Sequence, residues 1–181
     1  VFECYVKVAA GEGFKLTGDG KTWNNGNYGT DGAVPAVTGG NTYTVINSGG
    51  SSDLKPAEVD GAGLYYVKAD MDNMTVKVIK MQWGVIGTAT GGWSSELPMT
   101  YDFGTNEWTY AGTDLVASVE GLKFRSKNTG SSITGEDWQY NVGDLLFVGK
   151  DDTGKNFTTT ANGVQPKLKV NFDGTCLVSV L

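Results

Sequence analysis

The second half of the chain restates its first half, and the opening of the first copy has no counterpart in the sequence. Gly13-Phe14-Lys15-Leu16 returns as Gly121-Leu122-Lys123-Phe124. Each is followed by a stretch rich in Gly, Asn and Ser and then by a Trp: Trp23 before Gly29 in the first copy, Trp138 before Gly143 in the second. Val67-Lys68-Ala69-Asp70-Met71-Asp72 returns as Leu168-Lys169-Val170-Asn171-Phe172-Asp173. Residues 81–110 have no equivalent in the first copy, because Val1-Phe2 aligns with Thr109-Tyr110. The sequence therefore predicts two domains: residues 1–80 as the C-terminal part of one repeat, N-terminally incomplete, and residues 81–181 as a complete second repeat. A duplication of this kind argues against a single catalytic centre.

Period-two alternation sets the fold class. Tyr65, Val67, Ala69 and Met71 fall on one face, and Tyr66, Lys68 and Asp70 on the other. Met74, Val76 and Val78 continue the pattern after the turn Asp72-Asn73. In the second copy Leu168, Val170 and Phe172 alternate with Lys169 and Asn171, and Asp173-Gly174 turns into Cys176–Leu181. Asp-Asn and Asp-Gly between alternating runs are hairpin signals, so each copy is expected to end in a β-hairpin. No stretch of ten or more residues has helical periodicity. The expectation is all-β: two tandem β-sandwich domains of short strands and Gly-rich turns. With 27 Gly but only 19% charged residues, and 39% hydrophobic, the chain has material for cores. The segment Thr88–Pro98 reads as a loop.

Charge and composition exclude several functions. A net charge of −6 disfavours nucleic acid, whose phosphates require a basic surface, and docking to anionic lipid. No apolar run reaches the ~20 residues of a membrane span. The chain has no His, which removes the commonest general base, zinc ligand and hydroxyl-activating partner. No Gly-x-Ser-x-Gly elbow is present, and no pair of carboxylates is recognisably presented to one cleft. The chain is therefore read as non-enzymatic, with no cofactor and no metal. Asp151-Asp152-Thr153-Gly154-Lys155-Asn156 is rich in oxygen ligands but lacks the spacing and final Glu of a calcium loop. Cys4 and Cys176 are read as free thiols within strands, and the residues before Cys4 do not fit a lipoprotein signal.

The aromatics carry the remaining signal: five Trp, eight Tyr and seven Phe. Trp83 opens an apolar run and belongs to the core. Trp108 and Tyr110 share a strand face and suit a core equally well. Trp93 ends a Gly-rich segment that cannot easily bury it, and Trp138 follows a polar stretch. If Leu122 and Phe124 face the core, Lys123 and Arg125 face outward, as Lys15 does in the first copy. A flat indole covers the C–H face of a pyranose, while a nearby cation donates to its hydroxyls. The alternative is that Trp93 and Trp138 plug the ends of a sandwich.

The run Trp83-Gly84-Val85-Ile86-Gly87-Thr88-Ala89-Thr90-Gly91-Gly92-Trp93, followed by Met99-Thr100-Tyr101-Asp102, Trp108, Leu122-Lys123-Phe124-Arg125, Asp137-Trp138 and Gly143, resembles the repeats of SusE/SusF-type outer-membrane lipoproteins of polysaccharide-utilisation systems. The resemblance implies non-catalytic Ig-like β-sandwiches on a lipid-anchored chain at the cell surface, with the anchor not visible here. It implies binding of starch or another polysaccharide, retained as oligosaccharide for an outer-membrane glycan transporter complex. The residues it marks are Trp93, Trp138 and Arg125, with Lys123 or Trp108 in reserve. The first copy lacks a counterpart of the Trp93 segment and is not expected to hold a complete site. The alternative function is a structural spacer or protein-interaction module of the same assembly.

Overall fold

The alternation along Gly63–Asp70 becomes a strand with one face in a hydrophobic core. In the computed structural model, which describes residues 1–32, 42–126, 140–143, 146–147 and 156–180, the protein is all-β. The one α-helix among the described residues is the single turn α1 (Ala57–Asp60). The chain divides between Lys80 and Met81 into two compact units.

The first unit contains β1 (Phe2–Val8), β2 (Leu16–Thr17), β3 (Asn27–Gly29), β4 (Thr42–Thr44), β5 (Ile46–Asn47), β6 (Gly63–Asp70) and β7 (Thr75–Lys80). One antiparallel sheet has the order β1-β6-β7-β4, and a smaller one the order β2-β3-β5. Tyr65, Val67 and Ala69 of β6 join Val76 and Val78 of β7 and Tyr43 of β4 in one buried cluster. Leu16 and Tyr28 pack against it from the smaller sheet, and Phe14 from the segment just before β2. Each fully buried aliphatic side chain there contributes roughly 1.5–3 kcal/mol relative to exposure. The β6–β7 turn is closed by Asn73, whose backbone N–H and side-chain amide donate to the Asp70 carboxylate at 3.2 and 2.8 Å. Cys4 lies within β1, half-buried and unbridged.

The second unit contains β8 (Trp83–Gly87), β9 (Gly92–Pro98), β10 (Thr100–Asp102), β11 (Glu107–Thr109), β12 (Ser118–Ser126), β13 (Tyr140–Gly143), β14 (Leu146–Phe147), β15 (Phe157–Thr159), β16 (Lys167–Val170) and β17 (Cys176–Ser179). Its larger sheet runs β14-β13-β12-β8-β9, with β15 also pairing to β12; its second sheet runs β10-β11-β16-β17. All these pairings are antiparallel, an arrangement consistent with a β-sandwich. Leu122, Phe124, Trp83 and Val85 are buried from the larger sheet, and Trp108, Leu168 and Val170 from the second.

Two local expectations change. Residues 92–98, expected as part of a loop, form β9, because β8 offers them a free backbone edge; Leu97 and Pro98 sit opposite Val85 and Gly84. Phe172, expected to alternate inward with Leu168 and Val170, is 68% exposed. β16 ends at Val170, and the turn closed by Gly174 N–H donating to the Asn171 carbonyl at 3.0 Å places Phe172 at its tip.

Candidate functional site

The site is built on the face of the larger sheet opposite Leu122 and Phe124. Register pairs Lys123 with Ile86, and Arg125 with Gly84. Paired residues of antiparallel strands share a face, so both cations stand on the side away from the buried Phe124 and Val85. Facing away from that core does not leave them in water. Lys123 is only 6% exposed, and Arg125 is engaged in an ion pair.

Trp93 is delivered by a fixed turn. Thr90 Oγ1 accepts from Gly87 N–H at 3.0 Å and donates to the Gly87 carbonyl at 2.9 Å, closing a 3-10 turn over Thr88–Thr90. Ala89 is buried, and its carbonyl accepts from Val116 N–H at 3.0 Å, which ties the turn to the segment entering β12. Gly91, with φ of 89°, takes the left-handed conformation that reverses the chain into β9. Trp93 then stands 42% exposed, with the Lys123 ammonium 5.9 Å from its ring centroid. That is within the ≈ 6 Å range at which an ammonium is attracted by the negative face of an indole.

Arg125 and Glu96 form the other half of this surface. Arg125 Nε donates to Glu96 Oε2 at 3.1 Å, and its Nη2 donates to the same oxygen. Gly84 makes room for the contact. A Cβ on Gly84 would lie 2.8 Å from the Leu97 carbonyl and 2.9 Å from Glu96 Cβ, where β9 passes over it. The surface thus combines a partly exposed indole, an ammonium and a neutralised guanidinium–carboxylate pair. It offers a partly exposed planar apolar face beside a nearly covered ammonium.

Of the residues marked in sequence, the structure brings together Trp93, Lys123 and, two residues along β12, Arg125. Trp108 is not part of this group. It lies on β11 in the second sheet, buried, with its ring 4.7 Å from that of Tyr101, and its indole Nε1 finds no hydrogen-bond partner among the described residues. Trp138 lies outside the described residues, as do residues 151–155 of the oxygen-rich loop. Glu96 is the residue that sequence reasoning missed. Its signal was available only through pairing, since the β8–β9 register has to be known before Glu96 can be set beside Arg125.

Among the described residues no group of three or more His, Cys, Asp or Glu is placed to hold a metal ion. Cys176 is buried and free, and burial first and the Asp173 charge second push its thiol up to about 12. Burial likewise raises the Cys4 thiol. Both are kept as neutral thiols at physiological pH, the opposite of a reactive cysteine. No helix among the described residues is long and apolar enough to cross a membrane. Compared with models of known protein families and with curated proteins, the chain matches none.

Proposed function

We propose that this chain is a non-catalytic glycan-binding segment of a lipid-anchored cell-surface protein, built from tandem Ig-like sandwiches of the SusE/SusF type. In this reading it holds oligosaccharide near an outer-membrane transporter. The observation that carries it is the partly exposed indole of Trp93 with the Lys123 ammonium 5.9 Å from its centroid, on a turn locked by Thr90. A pyranose stacked on the indole would place its ring hydroxyls within reach of the ammonium, and a pre-formed turn reduces the ordering cost of binding. The tandem arrangement is supported by one matching strand pairing: Phe14 lies opposite Leu54, and its counterpart Leu122 lies opposite Phe157. Native electrophoresis in gels containing amylopectin, dextran, xylan or galactomannan tests the reading. At least one polysaccharide is expected to retard the folded wild type; unchanged migration in every gel would sink it.

One observation favours a second reading, a spacer or protein-interaction module. Arg125 is already engaged by Glu96, and Lys123 is nearly covered, so the cations can be read as ties between β12 and β9. Co-purification with transporter components by a protein that no glycan retards would select it.

A further inference from the structure

We infer that the first unit carries its own carbohydrate platform, made of Trp23 and Lys15; the inference rests on the glycan-binding reading and extends it to a part of the chain from which sequence gave no reason to expect a complete site. Lys15 and Lys123 occupy the same place in the two copies of the repeated Gly-x-Lys-x motif. Each has its ammonium 5.9 Å from the centroid of a partly exposed indole, yet the indoles come from unrelated segments: Trp93 from the turn after β8, Trp23 from the loop after β2. Two different local sequences have arrived at one pairing.

The Trp23 loop is built to hold its shape. The Asp19 carboxylate accepts from the backbone N–H groups of Lys21 and Thr22, both at 2.9 Å, from Thr22 Oγ1 at 3.2 Å and from the Asn25 side-chain amide at 2.6 Å. These bonds wrap the loop around one oxygen pair and set Trp23–Asn25 in a 3-10 turn. At the loop base, Gly18 approaches the Asn25 carbonyl so closely that a Cβ would lie 1.9 Å from it. Lys15 Nζ donates to the Ser51 carbonyl, which fixes the ammonium and leaves its other two N–H groups for a ligand.

A Trp placed for packing alone would be covered. Trp23 is 59% exposed, so most of its large apolar surface lies in water on a loop whose backbone is fixed by Asp19. The ligand class that fits is a neutral pyranoside: an apolar C–H face for the indole, hydroxyls for the ammonium, and no charge that would need neutralising.

Affinity gels containing amylopectin, dextran, xylan or galactomannan, run on the full chain with folding checked by circular dichroism, test the inference. On a polysaccharide that retards the wild type, Trp23→Ala is expected to weaken affinity at least three-fold and Trp93→Ala at least ten-fold, and the double variant is expected to migrate as in a plain gel. Lys15→Met, which keeps the indole, should give a smaller loss of the same sign. Wild-type retardation of Trp23→Ala overturns the second platform and leaves the first standing. Loss in Trp23→Ala with none in Trp93→Ala keeps the second platform and removes the first. A folded wild type that no polysaccharide retards overturns both.

Discussion

Lys123 and Trp93 lie on strands that do not pair with each other: β8 runs between β12 and β9, yet the Lys123 ammonium reaches across it to stand 5.9 Å from the Trp93 centroid. The strand crossed is Trp83–Gly87, and its residue opposite Lys123 is the buried Ile86. The lysine stem can therefore lie along apolar surface while its charged end meets the indole. If this pairing is a ligand platform, Trp93→Ala weakens polysaccharide binding by at least ten-fold, corresponding to about 1.4 kcal/mol or more. Its melting temperature should stay close to wild type, because the indole is 42% exposed and the cation–π contact itself is worth only about 0.5–1 kcal/mol. Calorimetry and affinity electrophoresis on the same sample separate the outcomes; a large drop in Tm with unchanged affinity assigns Trp93 to packing.

Arg125 is expected to act on stability more than on binding. Its guanidinium is fixed to Glu96 with both side chains largely buried, so removing one partner deprives the other of its ion pair in a site that water reaches poorly. Arg125→Met and Glu96→Gln should each cost about 1–3 kcal/mol in denaturant unfolding, and the double variant less than the sum of the two. Affinity for a retarding polysaccharide should change less than three-fold in Arg125→Met. A ten-fold loss of affinity with unchanged stability would make Arg125 a ligand contact instead.

The strands and their turns were legible where one property decided the outcome. Alternation alone put Tyr65, Val67 and Ala69 into a core, and Asp70 with Asn73 closed the hairpin that the turn residues announced. Trp83 was legible as core because it opens an apolar run. What alternation cannot show is the layer above a strand. It sets Lys123 and Arg125 on the face away from Phe124, but their surroundings depend on β9, and Ser94-Ser95-Glu96 has too little β-propensity to announce a strand. That segment is extended because the backbone edge of β8 is there to pair with it. Trp108 illustrates the converse: sequence allowed core or site, and only the pairing of β11 with β10 and β16 puts it between Tyr101 and Leu168.

Among the described glycines of the second unit, Gly121 is the one where an added Cβ would meet the closest neighbour. Its φ is +60°, and a Cβ there would stand 1.7 Å from the Phe157 carbonyl oxygen. The residue lies at the irregularity in the β12–β15 register, next to the close approach of Gly87. Gly121→Ala should destabilise the second unit by at least about 3 kcal/mol, from backbone strain and the clash together. Gly91→Ala meets no neighbouring atom and bears only the φ strain, so it should cost about 1–2 kcal/mol. Equal losses in urea unfolding of the two variants would contradict this account.

Asp19 should hold the Trp23 loop well into acid. Hydrogen bonds from the Thr22 N–H, the Asn25 amide and the Lys21 N–H hold its carboxyl below the ordinary value of 3.8. A carboxyl whose folded pKa is depressed stabilises its loop above the unfolded value, and that contribution fades as pH falls through the folded one. The loop should therefore remain ordered at pH 4, and Asp19 should titrate below 3.8 in carboxyl NMR. Asp19→Ala should speed hydrogen exchange at the Lys21 and Thr22 amides without unfolding the chain. Unchanged exchange at both amides would mean that the carboxylate does not organise the loop.

Alkaline pH should act through Cys176. With its folded thiol pushed up to about 12 from 9.0, both states are protonated below pH 9, and the group is neutral to stability there. Above pH 9 the unfolded chain releases a proton that the folded chain retains, so unfolding is favoured increasingly until pH reaches the folded value. By pH 10.5 the difference amounts to about 1–2 kcal/mol, at 1.36 kcal/mol per unit. Cys176→Ala removes this titration at the expense of a small loss of packing. The variant should be slightly less stable than wild type at pH 8 yet lose less of its stability between pH 8 and pH 10.5. The buried tyrosines remain in both proteins, so their alkaline titration cancels in the comparison, and parallel losses in the two would show that the Cys176 thiol ionises in the fold as readily as in the unfolded chain.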